Sequence, residues 1–166
     1  MKYICLVKTQ FNSKTTSLIT IKRTDSTDSD FIQLVCELDK DLAIRDGVDH
    51  SFYDQFNKID MIKHAIVGYE ENTPVACGAI KEYAAETMEV KRMYVLPEKR
   101  GKGFASDVLN ALEEWAKELG YRKCILETGK KQPEAIQLYT KNNYAIIPNY
   151  GQYEGIENSV CFEKVI

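Results

Sequence analysis

One stretch of the chain changes its hydrophobic pattern at a glycine turn. Residues 87–95 read Thr-Met-Glu-Val-Lys-Arg-Met-Tyr-Val, which predicts a strand, and Pro97 ends it because proline cannot donate to a ladder. Beyond Gly103, apolar residues recur at helical spacing, which predicts an amphipathic helix that ends at Gly120. Its apolar face comprises Phe104, Val108, Leu109, Leu112, Trp115, Ala116 and Leu119. The pattern therefore predicts a strand, a tight turn and a helix in direct succession.

Similar patterns predict further elements on both sides of this unit. Further strands are predicted at 17–23, 63–70, 75–83, 122–128, 144–147 and 158–165, with 1–8 as a candidate for an added edge strand, and helices at 31–45, 49–58 and 133–142. The connections from 63–70 through 87–95 are too short for crossovers, so these strands are predicted to be antiparallel. A long helix separates 87–95 from 122–128, which predicts a parallel pair. The predicted fold class is a mixed α/β sheet of six to seven strands, mostly antiparallel, with about four helices.

Composition narrows the functional classes. With 166 residues, 44% of them hydrophobic, the chain is long enough for one domain, predicted to span 1–166. A net charge of −3 argues against nucleic-acid partners, which bind basic surfaces, and no apolar run is long enough for a membrane span or a signal peptide. The five widely spaced cysteines indicate reduced thiols and a cytoplasmic protein. His50 and His64 have no companions at ligand spacing, so no metal site is predicted.

The glycine turn is suited to bind an anion. Gly101 and Gly103 allow a ligand to approach the backbone, and the first N–H groups of the following helix lie beside Arg100 and Lys102. The turn is not a Walker loop, because no Gly-Lys-Ser/Thr follows it, and it lacks the third glycine of the dinucleotide fingerprint. An ordinary basic strand-to-helix turn is the alternative interpretation.

A longer match relates the turn to a known family. The motif Arg-x-x-Gly-x-Ala at 100–105, after the strand Glu-Val-Lys-Arg-Met-Tyr-Val at 89–95, resembles the acetyl-CoA signature of the GCN5-related N-acetyltransferase (GNAT) superfamily. The resemblance extends from about residue 66 to the C-terminus and is most specific at 89–105 and 132–144. It implies acetyl-CoA as the cofactor, a sheet that splays open at the parallel pair, and transfer of an acetyl group to a primary amine.

The resemblance also implies which residues bind acetyl-CoA. The backbone of Met93, Tyr94 and Val95 is expected to pair with the amide-rich pantetheine arm, much as an added strand would. Gln132 stands where many members have an asparagine that contacts this arm. The pyrophosphate is expected to be wrapped by Arg100, Gly101, Lys102, Gly103, Phe104 and Ala105. Asn143 replaces a glycine that members usually have after the last helix, and asparagine tolerates the left-handed conformation.

Two side chains are candidates for the chemistry that the resemblance implies. Glu89 falls at the position of the catalytic glutamate in the histone-acetyltransferase branch, where a carboxylate takes the proton of the attacking amine; Glu82 and Glu127 are reserve candidates. Glu89 also has the strand parity of Met93, whose N–H, or that of its neighbour, is the expected oxyanion donor. Tyr139 falls on the tyrosine that serves many members as general acid toward the departing thiolate. The alternatives are a partly exposed strand glutamate and a core tyrosine.

The sequence gives the least information about the amine acceptor. It is expected to enter opposite the cofactor, between the N-terminal helices and the C-terminal loop. Candidate wall residues are Tyr53, Phe56, Tyr83, Tyr150 and Tyr153, and candidate partners for a cationic amine are Asp49, Asp54, Glu82 and Glu86. The amine class and the choice between a monomer and a homodimer stay open. A coenzyme A-binding sensor or interaction module without catalysis is the alternative function.

Overall fold

The computed structural model describes residues 19–47, 50–55 and 57–166. Its strands are β1 (Thr20–Thr24), β2 (His64–Glu70), β3 (Thr73–Ala84), β4 (Thr87–Val95), β5 (Lys123–Gly129), β6 (Ala145–Ile147) and β7 (Ser159–Val165). Its α-helices are α1 (Ser29–Asp46), α2 (His50–Asp54), α3 (Phe104–Glu118) and α4 (Pro133–Lys141). Within the described ranges the seven strands form one sheet in the order β1-β2-β3-β4-β5-β7-β6.

The strand directions confirm the predicted fold class. Strands β1 to β4 are antiparallel neighbours, β4 and β5 are parallel, and β7 pairs antiparallel with both β5 and β6. The strand predicted at 1–8 lies outside the described residues. Helix α2 is described as His50–Asp54, shorter than the predicted 49–58, of which residues 49 and 56 also lie outside the described ranges.

Local signals set the helix starts that the site depends on. Asp28 precedes α1, and its carboxylate accepts the N–H groups of Asp30 and Phe31, each at 3.0 Å. Helix α4 begins with Pro133, whose missing N–H costs nothing in the first turn. Gly103 precedes α3 and offers no side chain to cap it, so the first N–H groups of that long helix are left to an external partner.

The sheet is covered on both faces, and each face has its own apolar core. Helix α3 packs on one face through Val108, Leu109 and Leu112, and the same core takes in Tyr139 of α4. Helix α1 packs on the other face through a second core that contains Phe31, Leu34, Val35, Leu38 and Leu42. Each layer buries one face of the sheet. Among the described helices, none is long and apolar enough to cross a membrane.

Candidate active site

The parallel strands β4 and β5 separate after a short pairing. Their register runs from Thr87 opposite Lys123 to Glu89 opposite Ile125 and goes no further, although β5 stays paired with β7 as far as Gly129. A cavity of about 450 Å³ opens in the gap. It is lined by β4 from Glu89 onward, by the glycine turn, by the end of β5 and by α4. The sheet is therefore splayed where the family resemblance implied it.

A β-bulge in β4 sets the direction of the side chains at the gap. The ladder between β3 and β4 shifts there, so that Gly78 faces both Arg92 and Met93. Arg92 has a left-handed φ of 57°, which is uncommon for a residue with a side chain. Its guanidinium, with a side chain only 2% exposed, bonds the carboxylate of Asp39 on α1. This ion pair ties α1 to the bulge.

The β-bulge contradicts the predicted strand parity of Glu89 and Met93. Glu89 and Met93 do not share a face of the sheet, because the extra residue between them reverses the alternation. Met93 packs into the core on the α3 side, whereas Glu89 lies on the opposite face, bonded to Tyr150. The side chains of Glu89 and Met93 consequently lie on opposite faces of the sheet.

The glycine turn lies at the other end of the cavity. Gly101 and Gly103 have φ values of 78° and 94°, and a Cβ on either residue would meet no atom within 4 Å. Both glycines line the cavity together with Phe104 and Ala105 at the start of α3. The open space next to free helix N–H groups is the shape that a bound diphosphate requires.

The turn at residues 100–105 is the glycine cradle, and three contacts hold Arg100 at its edge. Its Nε donates to the Val95 carbonyl at 3.0 Å, its Nη2 bonds Asp41 of α1 at 3.2 Å, and its guanidinium lies 5.6 Å from the centre of the Tyr94 ring. Burial on its own would raise the pKa of Asp41, but hydrogen bonds from Arg45 and Arg100 outweigh it and lower the pKa. A pantetheine amide that paired with the Val95 carbonyl would have to share or displace the Arg100 hydrogen bond.

The Lys102 side chain does not line the cavity, although the resemblance implies that this residue helps to wrap the pyrophosphate. Its ammonium bonds Glu70 at 2.8 Å, and Lys99 bonds the same carboxylate at 2.5 Å. The hydrogen bond from Lys102 first, and that from Lys99 second, lower the pKa of Glu70 to about 2. Arg100, Gly101, Gly103, Phe104 and Ala105 line the cavity, whereas Lys102 does not. The Lys102 side chain is thus drawn toward β2.

Glu89 is a buried carboxylate with a donor on each oxygen. Only 7% of the residue is exposed. Oε1 accepts the Tyr150 hydroxyl at 3.0 Å, and Oε2 accepts the Lys91 ammonium at 3.3 Å. Burial first, and the neighbouring Glu89 charge second, raise the pKa of Tyr150 well above its ordinary value, so its phenol stays protonated. Lys91 lines the cavity beside Glu89 and Tyr150 does not, so Tyr150 holds the carboxylate from behind.

Tyr139 and Gln132 form part of the opposite wall. Gln132 lines the cavity from the position just before α4, and Tyr139 lines it from α4 itself. The Tyr139 ring packs against Tyr144 and Phe162, with ring centres 5.8 and 5.7 Å away. Burial first, and the charge of Glu127 second, raise the pKa of the Tyr139 phenol well above 10.0. Tyr139 is therefore both a core residue and a protonated hydroxyl at the cavity.

The predicted acceptor residues are only partly gathered together. Tyr53, Tyr153 and the reserve base Glu127 line the cavity, and Tyr83 stacks edge-on against Tyr150 with ring centres 5.1 Å apart. The others are not brought to it: Glu82, Glu86 and Asp54 are exposed and absent from its walls, and Asp49 and Phe56 lie outside the described residues. Among the described residues no three potential metal ligands cluster together.

Comparison with known proteins decides the family. The sequence model of the acetyltransferase (GNAT) family matches residues 32–144. The chain belongs to the GNAT family. An IAA acetyltransferase of Azospirillum brasilense is 31% identical over 151 residues, which cover 88% of this chain and 97% of that protein.

Solved structures agree with this membership. A structure from Klebsiella pneumoniae subsp. pneumoniae, provisionally assigned as an acyl-CoA N-acyltransferase, superposes with a TM-score of 0.75 and 28% identity, over 90% of this chain and 98% of that one. The PaiA N-acetyltransferase of Thermoplasma acidophilum, solved in complex with coenzyme A, shares the fold with a TM-score of 0.67 at 17% identity, over 90% and 99% of the two chains. This GNAT chain is thus an acyltransferase of the acetyltransferase type.

The structure adds two residues to the site that the sequence did not single out. Lys91 follows Glu89 by two positions, and strand alternation places both on one face, so its pairing with Glu89 was accessible from the spacing. Asp41 reaches Arg100 from the middle of α1, 59 positions away in the chain. Nothing in the local sequence marks that contact, because only the packing of α1 on the sheet creates it.

Proposed function

We propose that this GNAT chain is an N-acetyltransferase that moves an acetyl group from acetyl-CoA to a primary amine. The separation of β4 from β5 beyond Glu89 is the observation that carries the proposal. It leaves one edge of β4 without a partner strand, between a glycine cradle at one end and a buried carboxylate at the other. Backbone donors and acceptors in such a gap need partners, and an amide-rich arm provides them.

Acetyl-CoA would supply the activated acyl group as a thioester, and the chain's own residues would bind and orient it. The turn from Arg100 to Ala105 would hold the pyrophosphate on the first N–H groups of α3. The backbone of β4 at Met93, Tyr94 and Val95 would bind the pantetheine arm, with Gln132 contacting it from the position just before α4. An N–H of Met93 or Tyr94 would also stabilise the oxyanion that forms during attack.

Glu89 would act as the general base. An amine with a pKa of about 10 must lose a proton before it attacks, which costs about 4 kcal/mol at pH 7, from about 1.4 kcal/mol per unit. The carboxylate of Glu89 lines the cavity and is held from behind by Tyr150. It would take the proton directly or through one water molecule.

Tyr139 would stabilise the departing thiolate. Because its pKa is raised while a thiol has a pKa of about 8.5, full transfer of the phenol proton is uphill, and the role we propose is a hydrogen bond to the sulfur. Tyr139→Phe is therefore expected to lower kcat by roughly 10- to 100-fold, the equivalent of about 1.5–3 kcal/mol for a hydrogen bond to a charged group. Acetyl-CoA affinity, measured by calorimetry, should change little. A kcat equal to that of the wild type would remove Tyr139 from the mechanism.

Arg100→Glu is expected to weaken acetyl-CoA binding by roughly 10- to 100-fold, because it replaces a charge-assisted hydrogen bond to phosphate by a repulsion. The control is Arg45→Glu, since Arg45 bonds the same Asp41 at 3.0 Å and is not part of the cavity wall. Titration calorimetry of both variants separates loss of the ion-pair network from loss of the phosphate contact. Equal affinities in the two variants would contradict a role for Arg100 at the pyrophosphate.

The direct test of the function has two parts. Calorimetry is expected to give micromolar binding of acetyl-CoA, and a panel of protein N-termini, lysine peptides, polyamines, aminoglycosides and small metabolic amines is expected to contain at least one that triggers free-thiol release. The absence of any binding at millimolar acetyl-CoA would contradict the proposed function. Tight binding without transfer to any amine of the panel would instead support a coenzyme A-binding module without catalysis.

A further inference from the structure

The cavity contains a primary amine of its own at the proposed base. Lys91 lies on β4, lines the cavity, and has a side chain that is 13% exposed. Its ammonium is 3.3 Å from Oε2 of Glu89. It is aimed there by strand geometry, since two positions along a strand return to the same face and the bulge begins only after Lys91.

The position of Lys91 distinguishes it from the other described lysines in the cavity wall. Lys99 also lines the cavity and also forms an ion pair, but its partner is Glu70 and it lies at the glycine turn, where the pyrophosphate is proposed to bind. Lys141 lines the cavity from the last turn of α4 and is exposed. Among these three, Lys91 is the one paired with the carboxylate that we propose as the base.

We infer that Lys91 is a self-acetylation site of this protein, an inference that rests on the proposed function. The Lys91 ammonium occupies the place where the ammonium group of an acceptor would meet Glu89. When acetyl-CoA is bound and no acceptor is present, Lys91 presents a primary amine 3.3 Å from the base. The site then uses its own side chain as the substrate.

The step balances without a further reactant. Glu89 takes one proton from the Lys91 ammonium, and the neutral Nζ attacks the thioester carbonyl carbon. A C–N bond forms, the attacking nitrogen loses its second proton to solvent, and the C–S bond breaks, which releases coenzyme A as a thiolate. The thiolate takes up one proton from solvent, while the Tyr139 hydroxyl hydrogen-bonds the sulfur. The proton on Glu89 passes to solvent. The products are an amide at Lys91 and free coenzyme A.

The modification would change the site that produced it. Acetylation removes the positive charge next to Oε2 of Glu89 and adds a small neutral amide to the wall of the cavity. Tyr150 would still hold Oε1 from behind. The acetylated protein therefore presents Glu89 to the cavity without its internal counter-ion.

The test is mass spectrometry of the purified full chain after incubation with acetyl-CoA and no added amine. We expect a gain of one acetyl group that peptide mapping places on Lys91, at a rate that saturates with acetyl-CoA concentration. Lys99 is the internal control, because it lies in the same cavity in an ion pair of the same kind. Lys91 should be acetylated roughly a hundredfold faster than Lys99, the lower part of the range for general-base catalysis.

Two variants test whether Glu89 catalyses the acetylation of Lys91. Lys91→Arg keeps the charge and should abolish the acetyl gain, and Glu89→Gln keeps the amine and should slow it toward the rate seen in urea-unfolded protein. Acetylation spread evenly over Lys91, Lys99 and exposed lysines would overturn the inference, because it would reflect uncatalysed chemistry.

The inference and the proposed function fail in different ways. If the wild type binds acetyl-CoA and acetylates an external amine from the panel while Lys91 stays unmodified, the inference is wrong and the proposed function stands. If acetyl-CoA does not bind at all, both are wrong.

Discussion

Glu89→Gln is expected to lower kcat for amine acetylation by about 10²- to 10⁴-fold, the usual contribution of a general base. Glutamine keeps the size of the side chain and can still accept the Tyr150 hydroxyl that now bonds Oε1 at 3.0 Å. It cannot take a proton from the amine. Affinity for acetyl-CoA should be unchanged, because the pyrophosphate cradle lies at the other end of the cavity. Steady-state kinetics by thiol release and calorimetry measure the two quantities separately.

Two other carboxylates serve as matched controls for that substitution. Glu127→Gln changes another carboxylate of the cavity wall, the one whose charge acts on Tyr139, and Glu82→Gln changes an exposed residue on β3 that is absent from the cavity wall. The proposal expects a far smaller loss of kcat in both. If Glu127→Gln proves the more damaging change, the base is Glu127 and the assignment of Glu89 is wrong.

Gly103→Ala is expected to weaken acetyl-CoA binding by roughly 10- to 100-fold, from about 1.5–3 kcal/mol for a lost hydrogen bond to a charged group. The added methyl would project into the open space beside the start of α3, where a Cβ at Gly103 meets no atom within 4 Å. A diphosphate that must approach the first helix N–H groups would be pushed away by it. Calorimetry with acetyl-CoA measures the effect.

Gly120→Ala is the matched control because it places the same backbone strain elsewhere. Gly103 and Gly120 have φ values of 94° and 89°, and neither has an atom within 4 Å of a Cβ. Alanine at such angles costs about 1–2 kcal/mol, so denaturant unfolding should show a similar loss of stability in both variants. Gly120 lies beyond the C-terminal end of α3, away from the cavity, so its variant should bind acetyl-CoA normally. Equal loss of affinity in both would mean that strain, not the cradle, explains the result.

Much of the fold followed from local pattern. Period-two and helical spacing predicted the strands and helices from β2 onward, and the short connections between β2, β3 and β4 required an antiparallel meander. The long helix before β5 required the parallel pair. These features are readable because each depends on residues close together in the chain, where hydrophobic periodicity and connection length decide the geometry.

The β-bulge in β4 could not be predicted from the sequence. The sequence from Glu89 to Met93 shows an uninterrupted strand pattern, and strict alternation put both residues on one face. The bulge places Arg92 in the left-handed region, where its guanidinium bonds Asp39 of α1, 53 positions away in the chain. A one-residue insertion in a ladder inverts the direction of every later side chain, so this single bulge changed the predicted side-chain directions at the site.

The sequence by itself determined the order of elements, the GNAT signature and which residue types meet at the gap, because these are properties of short segments. Only the tertiary structure decided which way those residues point. It turned Met93 away from Glu89, drew Lys102 to Glu70 and held Arg100 with Asp41. The physical reason is that side-chain direction in a bulged, splayed sheet depends on ion pairs and packing between segments far apart in the chain, which no local pattern encodes.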